Sequence, residues 1–170
     1  RLELFEKAKA KPVGKENDYD AERYAGVLKL VKEKSNWASP QANIHRGVAA
    51  YYCHNTYVAH VLDIEMLDQK PVVKKVISAV DCGIVINPDA ATNLSQGAVV
   101  DGIGHSMYSS MTFKDGVPEH NNFGTYKMIR HHEAPKEIEV HFVKSDVDPT
   151  GMGEPSGPPV IGALANALYK

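Results

Sequence analysis

The sequence predicts an α+β domain of two layers, in which helices pack on a mostly antiparallel sheet. Apolar residues alternate with polar ones through the centre of the chain, as they do in strands. Near both ends they recur every three to four positions instead, as they do in amphipathic helices. With 170 residues, 43% of them hydrophobic, the chain can bury a core as one domain, or as one domain with a docking segment.

The first 40 residues are predicted to be helical. Residues 1–11 read as a short charged helix, followed by a turn at residues 12–14. A second helix ends near Ser35, and its apolar stripe consists of Tyr24, Val27, Leu28 and Val31. We therefore expect a helical lead-in over residues 1–40 and a main domain over residues 41–170.

Three consecutive antiparallel strands are predicted next. They cover residues 47–52, 57–66 and 72–80, and the turn between the last two contains Pro71. His60 alternates with apolar residues in the second strand. We expect it to be a buried, hydrogen-bonded histidine, because such residues outnumber metal ligands in this setting.

A long helix is expected after this sheet. Asn87 provides a cap, Pro88 suits the first turn, and the helix runs to about Met111. Glycines inside a helix cost about 1 kcal/mol each relative to alanine, so those found here must serve close packing or close approach. They are Gly97, Gly102 and Gly104. The segment does not match the dinucleotide-binding fingerprint, because it lies within a helix and not between a strand and a helix.

The remaining elements follow from turn residues and periodicity. Residues 111–113 and 117–118 flank a hairpin turn at Asp115 and Gly116. Residues 137–143 alternate as a strand. The last helix starts after Pro159, and its apolar stripe consists of Val160, Ile161, Leu164, Ala165 and Leu168.

Charge and cysteine content exclude several classes of partner. Nineteen basic and 21 acidic residues give a net charge of −2 without a basic cluster, so we expect neither nucleic acid nor an anionic membrane surface as a partner. Cys53 and Cys82 are too few to hold an iron–sulfur cluster and are expected to be small buried residues. No apolar run approaches the roughly 20 residues that span a bilayer, and the compartment stays open.

Two polar segments are further candidates for a site. His131, His132 and Glu133 resemble metal ligands, but adjacent side chains diverge and do not easily chelate one ion, so no metal ligand is assigned. Residues 121–126 are a polar and aromatic stretch that could begin a strand; we interpret it as a turn that contains a core aromatic residue.

The strongest candidate for a site is the Gly/Pro-rich stretch 151–159, which contains the single carboxylate Glu154. Its glycines allow close approach, and its prolines remove chain freedom. Burial in such a loop would raise the pKa of Glu154 toward the range of a general base. A plain helix lead-in is the alternative interpretation, since Pro and acidic residues are common at helix starts.

Several motifs in fixed order resemble the molybdenum hydroxylases, the family of isoquinoline 1-oxidoreductase, xanthine dehydrogenase and aldehyde oxidase. The similarity is to the C-terminal part of the large (beta) subunit and begins at about Glu22. The motifs are Val80-Asp81-Cys82-Gly83, Ile86-Asn87-Pro88, Gln96-Gly97 with Gly102, Asn122-Phe123, His132-Glu133-Ala134-Pro135, Gly153-Glu154-Pro155 with Pro158-Pro159, and Ala165-Asn166-Ala167.

The resemblance implies a function and site residues. It implies the fold of the molybdopterin-binding domain of this family and a molybdopterin cytosine dinucleotide shared with other domains. Glu154 would be the general base, and Gln96, Gly97 and Gly153 would lie at the cofactor. The implied reaction is hydroxylation of an electron-poor carbon, in an N-heteroaromatic ring or an aldehyde, with oxygen from water.

The resemblance also implies partners. The chain would be a fragment, inert alone, that works with the remaining domains of its subunit and with a small subunit that carries iron–sulfur clusters. One position departs from the family, since Leu94 stands where a glutamine is usual near the cofactor. Leu94 and the short chain leave an alternative open, in which this is a non-catalytic assembly or binding module that keeps the fold without the cofactor.

Overall fold

A computed structural model describes residues 1–11 and 19–169. The predicted turn at residues 12–14 lies outside this described part. Within it the elements are α1 (Leu2–Ala10), α2 (Ala21–Lys34), β1 (His45–Cys53), β2 (Thr56–Leu67), β3 (Lys70–Asp81), α3 (Pro88–Met107), β4 (Phe113–Lys114), β5 (Val117–Pro118), a 3₁₀ turn (His131–Glu133), β6 (Glu137–Phe142) and α4 (Pro158–Leu168).

The central sheet has four strands in the order β1-β2-β3-β6. The three predicted antiparallel strands are confirmed, since β1 pairs with β2 and β2 pairs with β3 in that sense. The last predicted strand, β6, joins the edge of β3 in parallel, after the chain has crossed one face of the sheet through α3. The short β4-β5 hairpin forms a separate two-stranded sheet.

The α+β class and the mostly antiparallel sheet are confirmed, but the helices lie on both faces of the sheet. Leu62 and Ile64 of β2 pack in one cluster with Val99, Ile103, Val160 and Leu164 of α3 and α4. On the opposite face, Ala59 and Val61 of β2 pack in a cluster with Val27 and Val31 of α2. The sheet is thus enclosed by two helical layers, one more than predicted. The alternating pattern reports one buried face of a strand and does not exclude burial of the other.

Helix α3 begins as predicted and ends earlier than predicted. The Asn87 side chain accepts from the Ala90 amide at 3.0 Å, and Pro88 is the first helical residue. The helix ends at Met107, and not near Met111, because Tyr108 leaves the helical conformation. The amides of Tyr108 and Ser109 both donate to the Gly104 carbonyl, which closes the helix.

Two arginine–carboxylate pairs, one buried and one partly buried, connect the elements. Arg46 of β1 and Asp63 of β2 are register partners joined by two bonds, Nε to Oδ1 at 2.6 Å and Nη2 to Oδ2 at 2.7 Å. Arg23 of α2 binds Asp81 at the end of β3 through Nη2 to Oδ1 at 2.7 Å and Nε to Oδ2 at 3.1 Å. The second pair holds α2 against the end of the sheet and raises the pKa of Arg23.

His60 is buried as predicted, and the surrounding apolar core keeps it neutral. Its side chain is 0% exposed, and desolvation lowers its pKa to about 4. Nε2 donates to the Ser156 carbonyl at 2.8 Å. In the described residues Nδ1 has no hydrogen-bond partner, and neither has the hydroxyl of its register partner, Ser78. The histidine is therefore only half satisfied.

Gly47 is where α4 comes closest to β1. A Cβ at this position would lie 2.0 Å from the Ala163 carbonyl oxygen and 2.4 Å from the Ala167 amide nitrogen. We expect Gly47→Ala to push α4 off the sheet and lower the free energy of unfolding by about 1–3 kcal/mol or more, measured by chemical denaturation. Gly26→Ala, in open space on α2, is the matched control and should stabilise the chain by about 0.5–1 kcal/mol. Equal stability of the two variants would contradict this packing.

His60 should make stability depend on pH. Below its ordinary pKa of 6.5 the unfolded chain binds a proton at this residue, whereas the folded chain does so only at about pH 4. The free energy of unfolding should therefore be highest above pH 6.5 and should fall toward pH 4, by at most about 1.4 kcal/mol per pH unit from this residue. Denaturation curves across this range should lose that slope in His60→Gln and keep it in the exposed control His105→Gln. An unchanged slope in His60→Gln would contradict the assignment.

Candidate functional site

The acid loop (residues 149–157) leads into α4 and carries the carboxylate that the sequence singles out. Its first half rests on the sheet. The Thr56 hydroxyl donates to the Gly151 carbonyl at 2.6 Å and lies 2.6 Å from the Thr150 hydroxyl. The Thr150 amide donates to the Cys82 carbonyl at 2.9 Å. This half is therefore bound to the start of β2 and to the residue that follows β3.

The second half of the acid loop is buried against α3 and β2. Ser156 is 1% exposed, and its hydroxyl donates to the Ser95 hydroxyl at 3.2 Å. Its carbonyl accepts the bond from His60. A Cβ at Gly102 would lie 3.0 Å from the Gly157 carbonyl oxygen, so this glycine lets α3 approach the loop, as its place in a helix predicts.

Glu154 lies between these two anchored halves and faces outward. Its side chain is 81% exposed, and its Oε2 lies 3.2 Å from His54 Nε2. The sequence suggests a buried carboxylate, and for the chain as folded this expectation is wrong. The loop contacts the sheet on one side and α3 on the other, which leaves the Glu154 side chain uncovered. The loop is held by hydrogen bonds and by burial of its second half, and neither covers the Glu154 side chain.

The three other predicted site residues occupy different surroundings. The Gln96 side-chain amide donates to the Ile138 carbonyl at 2.9 Å, which ties α3 to β6. Gly97 and Gly153 are exposed, and a Cβ at either would meet nothing within 4 Å. Their backbones therefore face open space. Leu94, at the position where the family usually has glutamine, is 49% exposed.

The candidate metal ligands His131, His132 and Glu133 lie in a 3₁₀ turn, and Glu133 forms an ion pair there. Glu133 binds Lys127 Nζ at 2.7 Å and accepts from the Arg130 amide at 2.7 Å. The bond from Lys127 lowers the pKa of Glu133. Among residues 1–11 and 19–169, no group of three His, Cys, Asp or Glu side chains is placed to hold a metal ion.

Predictions for the smaller segments have mixed outcomes. The turn at residues 121–126 is confirmed, since Asn122 Oδ1 accepts from the Gly124 amide at 2.7 Å. The expected core aromatic residue is absent from this turn, since Phe123 is 91% exposed and Tyr126 is only partly buried. Cys82 is buried as expected, whereas Cys53 is only partly buried.

Sequence reasoning missed His54 as a residue of the site. His54 and Asn55 form a two-residue turn between β1 and β2, and both have positive φ, 52° and 59°. The available signal was the gap of four residues, 53–56, between two predicted strands, which is short enough for a hairpin turn. The contact of His54 with Glu154 joins positions 100 residues apart and has no local signature.

The chain is similar to known proteins along most of its length. Residues 6–135 match the model of the molybdopterin cofactor-binding domain. The chain is 30% identical over 153 residues to isoquinoline 1-oxidoreductase subunit beta of Brevundimonas diminuta, covering 84% of this chain and 20% of that protein. It is 28% identical over 160 residues to the membrane-bound aldehyde dehydrogenase [pyrroloquinoline-quinone] of Gluconacetobacter polyoxogenes, covering 86% and 20%.

A solved structure supports the fold. Quinoline 2-oxidoreductase from Pseudomonas putida 86 matches with a TM-score of 0.56 and 21% identity, over 68% of this chain and 16% of that one.

In the described residues, no helix has the length and apolarity needed to cross a membrane.

The chain spans about one fifth of the length of the curated relatives it matches. The quinone in the name of the second relative differs from the cofactor of the matched family model, and the family is assigned from that model because it covers most of the chain. The chain belongs to the molybdopterin cofactor-binding domains of molybdenum hydroxylase large subunits.

Proposed function

We propose that this chain is the part of a molybdenum hydroxylase large subunit that supplies the general base, Glu154. The observation that carries this proposal is the acid loop, which is held at both ends by hydrogen bonds while its single carboxylate stays exposed. The family match ends at residue 135, before this loop, so the role of Glu154 rests on the geometry and on the sequence motif.

The chain's residues fit the cofactor that the family implies. Gly97 and Gly153 leave open space where any other residue would place a Cβ, so a ligand can approach their backbones closely. The Gln96 amide nitrogen is occupied by Ile138, and the carbonyl oxygen of the same amide is the group we assign to the cofactor. We take the cofactor to be molybdopterin cytosine dinucleotide; when bound, it supplies the two-electron redox chemistry of the reaction.

The reaction we propose is hydroxylation of an electron-poor carbon with oxygen from water. The substrate is a small N-heteroaromatic compound of the isoquinoline type, or an aldehyde. Glu154 accepts a proton at its carboxylate during this reaction. The bonds of Thr56 and Ser95 to the loop limit the movement of the residues on either side of Glu154, which reduces the ordering needed when substrate binds.

The remaining domains of the subunit are the partner we propose for the segment 109–130. Nearly all of residues 110–125 are exposed, and the segment carries several large apolar side chains. They are Met111, Phe113, Val117, Phe123 and Met128, between 43% and 91% exposed. Side chains of this kind in one segment indicate a surface that is covered by another part of the protein.

We propose that the chain is divided into a helical lead-in, residues 1–40, and a cofactor-binding domain, residues 41–170.

The second partner we propose is a small subunit that carries iron–sulfur clusters and receives the electrons of the reaction.

The alternative, a non-catalytic assembly or binding module, is favoured by two observations at the same helix. Leu94 replaces the usual amide, and Gln96 is used internally to hold β6. Metal analysis separates these functions: a full-length protein that carries molybdenum and a cytosine nucleotide supports the hydroxylase, and one that carries neither supports the module.

Replacing Glu154 tests the proposed base. In the assembled full-length enzyme, Glu154→Gln should lower kcat by at least about 100-fold while molybdenum content stays at the wild-type level, because the amide cannot accept the proton. Turnover of isoquinoline- or aldehyde-type substrates and metal content are measured on the same preparation. Glu33→Gln, an exposed glutamate near the end of α2, is the matched control and should retain activity. Wild-type turnover in Glu154→Gln would contradict the proposal.

Replacing Phe123 tests the proposed interface. Phe123→Asp should lower the free energy of unfolding of the full-length subunit by about 2 kcal/mol or more, because a buried aromatic contact is lost and a charge is left in its place. The same substitution should leave the stability of the 170-residue chain unchanged, since Phe123 is exposed there. Lys70→Asp, which places the same side chain at an exposed position at the start of β3, is the control. Equal effects of Phe123→Asp in both contexts would rule out this interface.

A further inference from the structure

We propose that His54 is a positioning residue for Glu154. Its Nε2–H donates to Glu154 Oε2 and fixes which carboxylate oxygen faces the reacting group. This inference rests on the proposed role of Glu154 as the base. It adds a residue that lies outside the motifs by which the family was identified, 100 positions away in the chain.

The backbone at His54 has an unfavourable conformation for a side chain of its size. His54 and Asn55 form the two central residues of a hairpin turn closed by the pair Cys53 and Thr56, and both lie in the left-handed region. Turns of this type usually take glycine, asparagine or aspartate, because other residues are strained there by about 1 kcal/mol. The turn therefore places an imidazole at a position where histidine is conformationally less favourable than the usual residues.

The turn is held in place by contacts from two sides. The Tyr52 hydroxyl donates to Asn55 Oδ1 at 2.9 Å. Arg23 Nη1 donates to the Asn55 carbonyl at 3.2 Å, and the same guanidinium binds Asp81. The hairpin tip is thus linked to α2 and, through Asp81, to the end of β3. The position of the imidazole follows from this framework.

The acid loop is fitted to His54 itself. The Gly151 amide donates to the His54 carbonyl at 3.3 Å. A Cβ at Gly151 would lie 2.8 Å from His54 Cβ, so only glycine lets the loop pass at this distance. Three residues later, Glu154 Oε2 comes within 3.2 Å of Nε2. The contact between the two backbones therefore brings His54 and Glu154 close enough for their side chains to meet.

The contact suits a base that must be held in one orientation. A bond from an N–H to a carboxylate restricts the rotamers of the carboxylate side chain. One oxygen of Glu154 then faces His54, and the other is left to accept the proton. No proton leaves His54 in this scheme. Besides His54, the titratable or charged groups around the pair are Cys53, whose pKa is raised by desolvation and by the Glu154 charge, and Arg23 on the far side of Asn55.

The test uses the assembled full-length enzyme with His54→Asn, His54→Gln and the control His131→Asn. Asparagine keeps the positive-φ turn but is too short to reach Glu154, whereas glutamine restores an N–H donor. We expect His54→Asn to lower kcat about tenfold with little change in KM, because the base is still present but no longer oriented. His54→Gln should recover part of kcat. His131→Asn, an exposed histidine in the 3₁₀ turn, should behave as wild type.

A second measurement does not depend on turnover. The rate at which diethyl pyrocarbonate modifies His54, read by peptide mass spectrometry, should fall several-fold in Glu154→Ala, because a carboxylate that accepts from Nε2–H makes the free Nδ1 more nucleophilic. The same rate at His131 should not change. This arm reports the contact even if His54→Asn disturbs the hairpin.

Three outcomes separate the possible failures. Wild-type turnover in Glu154→Gln would overturn the proposed function, and this inference with it. An inactive Glu154→Gln beside an unchanged kcat in His54→Asn would overturn only the role of His54. Equal labelling of His54 with and without the Glu154 carboxylate would show that the contact does not exist in the assembled enzyme.

Discussion

Burial of both faces of β2 is the constraint on which the rest of the structure depends. Every residue from Tyr57 to Ile64 is at most 7% exposed. A strand covered on both sides requires a neighbour along each edge and a helical layer over each face, and β1, β3, α2, α3 and α4 supply these. The acid loop is then attached to this strand through Thr56 at its start and His60 in its middle.

The buried polar groups contribute more to the position of the site than to the stability of the chain. Arg46 and Asp63 satisfy each other across β1 and β2, and such a pair is close to neutral when compared with apolar residues of the same shape. Losing one partner would be costly, by about 3–5 kcal/mol, because the other charge would stay buried. Arg23 serves the same purpose for Asp81 and also holds Asn55, so one guanidinium connects α2, the end of β3 and the hairpin beside Glu154.

Much of the fold and part of the site could be predicted from local patterns. Asn87 and Pro88 marked the start of α3, alternation marked the four strands, and the glycine at 102 marked a close approach. The outward orientation of Glu154 and the exposed Phe123 could not be predicted in this way, because a carboxylate between glycines and an aromatic residue beside a turn look the same in sequence whether covered or not.

The sequence by itself determined the type and order of the elements, the loop that carries Glu154 and the family, because these depend on residue spacing and on motifs read along the chain. Only the tertiary structure decided that the sheet is covered on both faces, that β6 adds in parallel, and that His54 meets Glu154. Each of these depends on contacts between residues far apart in the chain, whose free energy comes from packing and which leave no periodic signal in either partner.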